Sequence, residues 1–290
     1  MEALLFLGCT VPVRNLNYEL SARKVAEALD ITLKDLPEFG CCGFPLKAND
    51  QRAALIIAAR ALAQAGETGL PLVALCSACT GTLSEAAHLL DHNEETRDEV
   101  NQKLKPLGLE YKPGVNVKHF ARFLYEDVGV DALKKTFTQK LDSFTFAPHY
   151  GCHYLKPSEV TGKFDDPENP VTLTRLIEAT GAKSLNYSSM KDCCGGGLLG
   201  TDENLAGSMA GQKLMELGHT EVTALAVICP FCNVMYEGQQ KSILKKKEAD
   251  FKVPVVYLTQ ILGLAMGYSP NDLGFKLNRV KPKDLVKAFK

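Results

Sequence analysis

Ten cysteines in this chain fall into two copies of one five-cysteine pattern. The first copy is Cys9, then Cys41-Cys42-Gly43, then Cys76-Ser77-Ala78-Cys79. The second is Cys152, then Cys193-Cys194-Gly195, then Cys229-Pro230-Phe231-Cys232. Corresponding cysteines stand 143, 152, 152, 153 and 153 residues apart, and none is left over. A chain that places every thiol twice in one arrangement is building two copies of one site. Its 290 residues are too many for one small core and suit two units of roughly 140 residues.

The order of elements repeats with the cysteines. Ala3–Gly8 is a short apolar strand ending at Cys9, and Ser143–Pro148 leads to Cys152 in the same way. Ile31–Leu36 and Lys183–Tyr187 read as second strands running toward the Cys-Cys-Gly turns. Helices rich in Ala and Leu follow over Gln51–Ala65 and Glu203–Leu217. Leu72–Leu75 and Ala224–Ile228 are buried strands delivering Cys76 and Cys229. A last pair matches: Val115–Lys118 before a helix His119–Glu126, and Val253–Tyr257 before Leu258–Met266. Alternating strands and helices predict an α/β fold in which each unit has a largely parallel sheet flanked by helices. The expected units are residues 1–140 and 141–290, joined through the polar stretch Lys134–Asp142. In open α/β sheets, ligands gather outside the carboxyl ends of the strands. All the cysteine groups fall at such ends or just past them. Asn93–Lys105 reads as a solvated charged helix and Lys245–Lys247 as surface. Lys276–Lys290 carries little apolar periodicity and reads as an extended tail, packed on a neighbour or mobile.

The bulk composition removes several function classes. A net charge of −1 gives no reason to expect nucleic acid or an anionic membrane as partner. The start MEALLFLGCT lacks a basic n-region and a cleavage site, so it reads as a strand rather than a signal peptide. No apolar run reaches the roughly 18 residues of a membrane span. The expected setting is cytoplasmic, where thiols stay reduced, which favours metal over disulfides.

Soft thiolates select zinc, copper(I) or iron–sulfur clusters. Structural zinc takes four ligands, whereas each half offers five thiols, two of them adjacent in sequence. Neighbouring side chains on a strand point apart, so a Cys-Cys pair needs a tight turn to face one centre. Gly43 and Gly195 supply that turn, and Gly196 with Gly197 lets the backbone approach a bound group closely. Five converging thiolates overfill one zinc ion and suit a centre with several irons. The bland readings are a redox dithiol, half a zinc site, disulfides, or buried cysteines that only pack.

Other residues weigh less. His153 and Lys156, in His149-Tyr150-Gly151-Cys152-His153-Tyr154-Leu155-Lys156, are candidate proton donors to a leaving thiolate. The alternative for the histidines is loop stabilisation by hydrogen bonds. Gly195-Gly196-Gly197 lacks the Lys-Ser/Thr of a phosphate-binding loop. His119 reads as an end-cap or core histidine, and His88 with His92 lacks a third ligand. Thr80 is expected to cap the helix after Cys79.

The combined motifs carry a resemblance. Two Cys-x(31 to 40)-Cys-Cys-Gly-x(32 to 33)-Cys-x-x-Cys runs resemble the cysteine-rich, or CCG, domain family. FLGCTVPVRNLNYE, LCSACTGTL, KHFARFLYE, APHYGCHYLKPSE, DDPENP, DCCGGG, ICPFCNVM and YLTQILGLAMG resemble the B-type subunit of CoB–CoM heterodisulfide reductase, a branch of that family, across residues 3–270. The resemblance implies two CCG domains related by pseudo-twofold symmetry, each holding a noncubane [4Fe–4S] cluster. It implies that Cys9, Cys41, Cys42, Cys76 and Cys79 hold one cluster, and that Cys152, Cys193, Cys194, Cys229 and Cys232 hold the other. A disulfide substrate would be split between them, with each sulfur captured by an iron. Electrons would come from a ferredoxin-like subunit with cubane [4Fe–4S] clusters, fed by a flavoprotein subunit. One departure stands out: the first motif reads Cys41-Cys42-Gly43, where many methanogen members carry Cys-Cys-Pro. It leaves the ligands intact and the identity of the disulfide open. The chain has neither a ferredoxin-type cysteine run nor a dinucleotide-binding glycine fingerprint, so a partner must supply its electrons. The alternatives are an electron-transfer subunit of another oxidoreductase complex and a zinc-stabilised scaffold.

Overall fold

A computed structural model of the chain describes residues 1–289. Two four-stranded, wholly parallel sheets form its frame. The first has the order β2-β1-β3-β4, from Glu2–Phe6 (β1), Thr32–Asp35 (β2), Leu72–Ala74 (β3) and Val117–His119 (β4). The second has the order β6-β5-β7-β8, from Thr145–Pro148 (β5), Lys183–Ser184 (β6), Ala224–Val227 (β7) and Val255–Tyr257 (β8). The central strands are buried on both faces, as a parallel sheet covered by helices requires. The α/β architecture expected from the alternation is present in both copies.

The helices match in pairs. Gln51–Gly66 in the first half corresponds to Glu203–Gly218 in the second. Each is capped at its start by an aspartate: Asp50 accepts from the Ala53 N–H and Asp202 from the Leu205 N–H, both at 2.9 Å. Each cap contributes about 1 kcal/mol. The helix Glu94–Leu104 buries only Val100 and Leu104, and Lys245–Lys247 are exposed, as their charge predicts.

Several boundaries move for physical reasons. The first strand stops at Phe6 rather than Gly8, because Gly8 takes φ +64 and turns the chain. The expected strand Lys183–Tyr187 has ladder geometry only at Lys183–Ser184, at the sheet edge. The helix expected over His119–Glu126 runs Phe120–Phe123 and then widens to a π-helical stretch, Leu124–Gly129. Thr80 is not a cap: the helix Ser77–His92 starts three residues earlier, and the Thr80 hydroxyl donates back to the Cys76 carbonyl at 3.0 Å.

The C-terminal stretch is the largest correction. Residues 276–289 are neither extended nor detached: they include a helix Lys283–Ala288, and Asn278 and Leu285 are buried. Asn278 Nδ2 donates to the Val255 carbonyl at 2.7 Å, while its Oδ1 accepts from Asn17 at 3.2 Å and Gln260 at 3.0 Å. One side chain thus ties the tail to both halves. Lys290, the last residue of the expected tail, lies outside the described residues.

The halves meet reciprocally. The helix Leu16–Ala28 of the first packs on Leu258–Ala265 of the second, and Thr172–Glu178 of the second packs on Phe120–Phe123 of the first. Tyr18 stacks on Tyr257 with ring centroids 3.9 Å apart, and its hydroxyl donates to the Ile228 carbonyl at 2.9 Å. Ser21 and Thr259 hydroxyls meet at 2.6 Å, and Asn15 donates to Asn233 at 2.8 Å. His119 also crosses this seam: Nε2–H donates to the Ile228 carbonyl at 2.9 Å, and Nδ1 accepts from the Ala121 N–H at 3.1 Å. It is therefore both a cap and a core histidine.

The seam can be tested at two residues. Asn278→Ala leaves the amides of Asn17 and Gln260 and the Val255 carbonyl short of a partner, and should cost about 2–3 kcal/mol in urea unfolding. A loss below about 0.5 kcal/mol, the size of an ordinary surface change, would show that the tail is not anchored there. Burial holds the His119 imidazole down at about 4, against an ordinary value of 6.5. The unfolded chain takes up a proton in this window that the folded chain refuses. Stability is therefore full above pH 6.5 and falls as pH drops toward 4, by up to about 3 kcal/mol. His119→Gln should remove close to one proton from the pH slope of unfolding stability; an unaltered slope would contradict this.

Candidate functional site

The cysteine loops leave the carboxyl ends of the strands, and backbone constraints aim them inward. Gly43 takes φ +90 and Gly195 φ +74. A Cβ at Gly43 would come within 2.6 Å of the Ala54 carbonyl oxygen, and one at Gly195 within 2.8 Å of that of Ala206. These glycines thus allow both the turn and its seating against the following helix. Their N–H groups lie 3.4 Å from the sulfurs of Cys41 and Cys193, and Gly196 N–H lies 3.3 Å from that of Cys194. Gly8, before Cys9, was not singled out by sequence reasoning, yet a Cβ there would sit 2.9 Å from Cys79 Sγ. The repeated Gly-Cys dipeptides at Gly8-Cys9 and Gly151-Cys152 were the available signal.

Cys76 and Cys229 occupy the N-cap positions of the helices Ser77–His92 and Pro230–Asn233. Their sulfurs meet across the seam at 3.8 Å. From that contact the thiols continue outward in both directions, each interacting with the next. On one side the order is Cys76, Cys79, Cys42, Cys41. On the other it is Cys229, Cys232, Cys194, Cys193, Cys152, ending with Cys193 and Cys152 at 3.7 Å. Nine of the ten sulfurs thus form one file, matched about the seam as far as Cys41 and Cys193 and extended by Cys152 on one side only. Cys9 stands apart, exposed at the rim beside Thr10 at 3.7 Å.

All ten cysteines are free thiols. They share protons unevenly. The neighbouring thiols Cys41 and Cys79 push Cys42 down to about 4, Cys152 and Cys194 push Cys193 down, and Cys232 and Cys76 hold Cys229 well below the usual thiol range. The partners of these anions are pushed up in return, Cys194 to about 12 by Cys193. Thiolates are the form that binds soft metals, so the file is chemically primed for them. Among the described residues no three His, Cys, Asp or Glu side chains converge as a single-ion site. Sulfurs drawn out in a file suit a centre with several metal atoms better than one tetrahedral ion. Buried polar atoms without a partner include Ser77 Oγ, next in sequence to Cys76, and His149 Nδ1, on the ring whose Nε2 lies 3.2 Å from Cys232 Sγ.

The remaining candidates separate in space. His153 Nδ1 lies 3.1 Å from Cys152 Sγ, and its ring meets Phe44 of the other half edge-on at 5.1 Å. Lys156 is exposed and pairs with Glu168 at 3.5 Å. His88 and His92 are exposed, with His92 Nδ1 2.8 Å from the His88 carbonyl oxygen. Sequence reasoning did not single out Phe44 and Phe231, whose rings lie 5.7 Å apart at the seam. It gave His149 only the loop-stabilising alternative and not its place at a sulfur, where the buried ring brings Nε2 to 3.2 Å from Cys232 Sγ, and it missed the buried Lys213.

The sequence that carries this geometry matches a known family. The cysteine-rich domain (CCG) family model matches twice, at residues 3–84 and 146–237. A relative from Methanosarcina acetivorans, the B-type subunit of a ferredoxin/F420H2-dependent CoB–CoM heterodisulfide reductase, is 34% identical over 96% of this chain and 93% of its own length. A protein from Archaeoglobus profundus, described as like the heterodisulfide reductase B-type subunit, is 36% identical over 93% of this chain and 92% of its own. The 8-methylmenaquinol:fumarate reductase membrane anchor subunit of Wolinella succinogenes is 28% identical over 96% of each. Among the described residues, however, no helix of this chain is long and apolar enough to cross a membrane. A Helicobacter pylori hypothetical protein of known structure shares the fold at TM-score 0.78 and 19% identity; it covers 97% of this chain, which spans 52% of that longer one. The chain belongs to the cysteine-rich domain family, within its branch of heterodisulfide reductase B-type subunits, which are iron–sulfur oxidoreductases.

Proposed function

We propose that this chain is the disulfide-reducing subunit of a heterodisulfide reductase-type complex, working at two noncubane [4Fe–4S] clusters. The observation that carries the reading is the file of thiols, which divides at the Cys76–Cys229 contact into two sets of matching order. Cys9, Cys41, Cys42, Cys76 and Cys79 would hold one cluster, and Cys152, Cys193, Cys194, Cys229 and Cys232 the other. When bound, these clusters supply single electrons to the disulfide and iron atoms that accept its sulfurs. The overall change takes up two electrons and two protons, breaks one S–S bond and makes two thiols.

The protein's own part is to position and to protonate. Thiol sets on both sides of one seam would place a bound centre against each sulfur of the disulfide, chemistry that keeps either fragment from leaving as a free thiyl radical. The N–H groups of Gly43, Gly195 and Gly196 donate to sulfur and stabilise charge on it. Of the two proton donors considered, His153 stands beside a cysteine sulfur, whereas Lys156 is held at the surface by Glu168. We therefore place His153 as the donor to a departing thiolate, because a positioned imidazole N–H can pass its proton to sulfur. Electrons would arrive from a ferredoxin-like subunit with cubane clusters, itself fed by a flavoprotein subunit. The disulfide would be a small molecule such as CoM–S–S–CoB.

A second reading has one observation in its favour. The Wolinella relative is named for fumarate reduction, so the same fold also serves a complex of different chemistry. Under that reading the chain passes electrons without its own disulfide.

The tests separate these readings. Anaerobically purified chain should carry about eight irons with matching sulfide; zinc alone would end both. Adding a heterodisulfide to the reduced chain should leave a product thiolate bound to iron, detectable by sulfur-edge spectroscopy, and no such species would leave only electron transfer. His153→Asn should lower turnover about 10²-fold or more; unchanged turnover would discard the donor.

A further inference from the structure

The two halves match in backbone and in cysteines, but not in what surrounds the sulfurs. Position by position, Lys213 in the helix Glu203–Gly218 corresponds to Ala61 in Gln51–Gly66. His149, three residues before Cys152, corresponds to Phe6, three residues before Cys9. Tyr236, four residues after Cys232, corresponds to Leu83, four after Cys79. All six of these side chains are buried. The N-terminal thiols are thus backed by apolar groups, and the C-terminal thiols by a cation, an imidazole and a phenol.

Lys213 is the strongest of these differences. It is 1% exposed, donates to the Ser189 carbonyl, and faces the rings of Tyr187 and Tyr236 at 5.2 and 5.9 Å. Among the described residues the ion pairs of the C-terminal half are Lys156–Glu168 and Lys191–Glu168, and Lys213 is in neither. The charged and titratable groups that act on it are Asp192, Cys232, Cys194 and Glu216. The Glu216 carboxylate is already occupied by four hydrogen bonds, from the backbone N–H and hydroxyl groups of Ser188 and Ser189. Burial lowers Lys213 to about 8, which still leaves it cationic at neutral pH. A buried charge in this position is felt strongly, because little water screens it.

We propose that Lys213 makes the two metal centres unequal, holding the C-terminal centre at the higher reduction potential so that it is reduced first. This rests on the proposed pair of iron–sulfur centres. Each electron added to a thiolate-bound centre adds negative charge, which a fixed cation nearby stabilises and an alanine does not. Buried His149, with Nε2 3.2 Å from Cys232 Sγ, and buried Tyr236, packed edge-on against the His149 ring, add polar groups on the same side. Duplication alone would give two equal centres competing for each electron. The lysine instead orders the two one-electron deliveries that a disulfide needs. Lys213 touches neither substrate nor the reacting atoms in this account, so it is a positioning residue that acts through the centre.

A redox titration of the iron-loaded full chain, followed by electron paramagnetic resonance, tests this. The unaltered chain should show two one-electron steps at different potentials. Lys213→Met should weaken reduction of the higher-potential centre about tenfold, a fall of about 59 mV, and leave the other in place. Lys213→Arg should restore the gap. Coincident steps in the unaltered chain would overturn the proposal without any variant, so failure of Lys213→Met to fold or load iron does not protect it. Unmoved potentials in Lys213→Met, or equal movement of both, would also overturn it. A chain that binds no iron would instead overturn the proposed function, and this inference with it.

Discussion

Two sulfurs 3.8 Å apart, Cys76 from one half and Cys229 from the other, mark the point about which this molecule is organised. Each sits at the N-cap of a helix that follows a buried central strand. Bringing two strand ends and two helix starts together requires the sheets to face each other at their carboxyl edges. The reciprocal packing of Leu16–Ala28 on Leu258–Ala265 and of Thr172–Glu178 on Phe120–Phe123 does that. The polar links across the seam then fix its register: Asn15 to Asn233, Tyr18 and His119 to the Ile228 carbonyl, and Ser21 to Thr259. Sliding the halves by one residue would strand these groups without partners, at about 1–3 kcal/mol each.

The same contact explains why the site is costly without metal and productive with it. A file of buried thiols cannot carry charge on every sulfur, so the depressed Cys42 and Cys229 stand beside partners pushed up and held protonated. Metal binding needs thiolates and supplies positive charge, so it relieves this crowding and becomes part of the folding free energy. The glycines at 43 and 195 belong to the same economy of space. They let the Cys-Cys turns press on the helix backbone while their N–H groups point at sulfur.

Much of this was legible in the sequence because duplication repeats each signal. The strands delivering Cys76 and Cys229, the paired Ala/Leu-rich helices and the parallel order all followed from apolar runs and their spacing. The tail was not legible: Asn278 and Leu285 anchor it, and two buried residues among lysines make no periodic pattern. Thr80 was misplaced because a cap is set by where the helix starts, and Cys76 took that position. Lys213, and the sulfur contact of His149, escaped for another reason. Reading the copies for what they share draws attention to the ligands and hides what differs between them. Setting Ala61 against Lys213 and Phe6 against His149 exposes polar residues at buried positions, which only a partner in the interior can justify.

The central claim is that ten thiols gather as two multi-iron centres on either side of one seam. Diffraction from anaerobic crystals at the iron absorption edge tests it most directly. The account predicts two separate clusters of anomalous density, one bounded by the N-terminal cysteines and one by the C-terminal set, flanking the Cys76–Cys229 contact. Iron in one half only, or density at the zinc edge in its place, would contradict it.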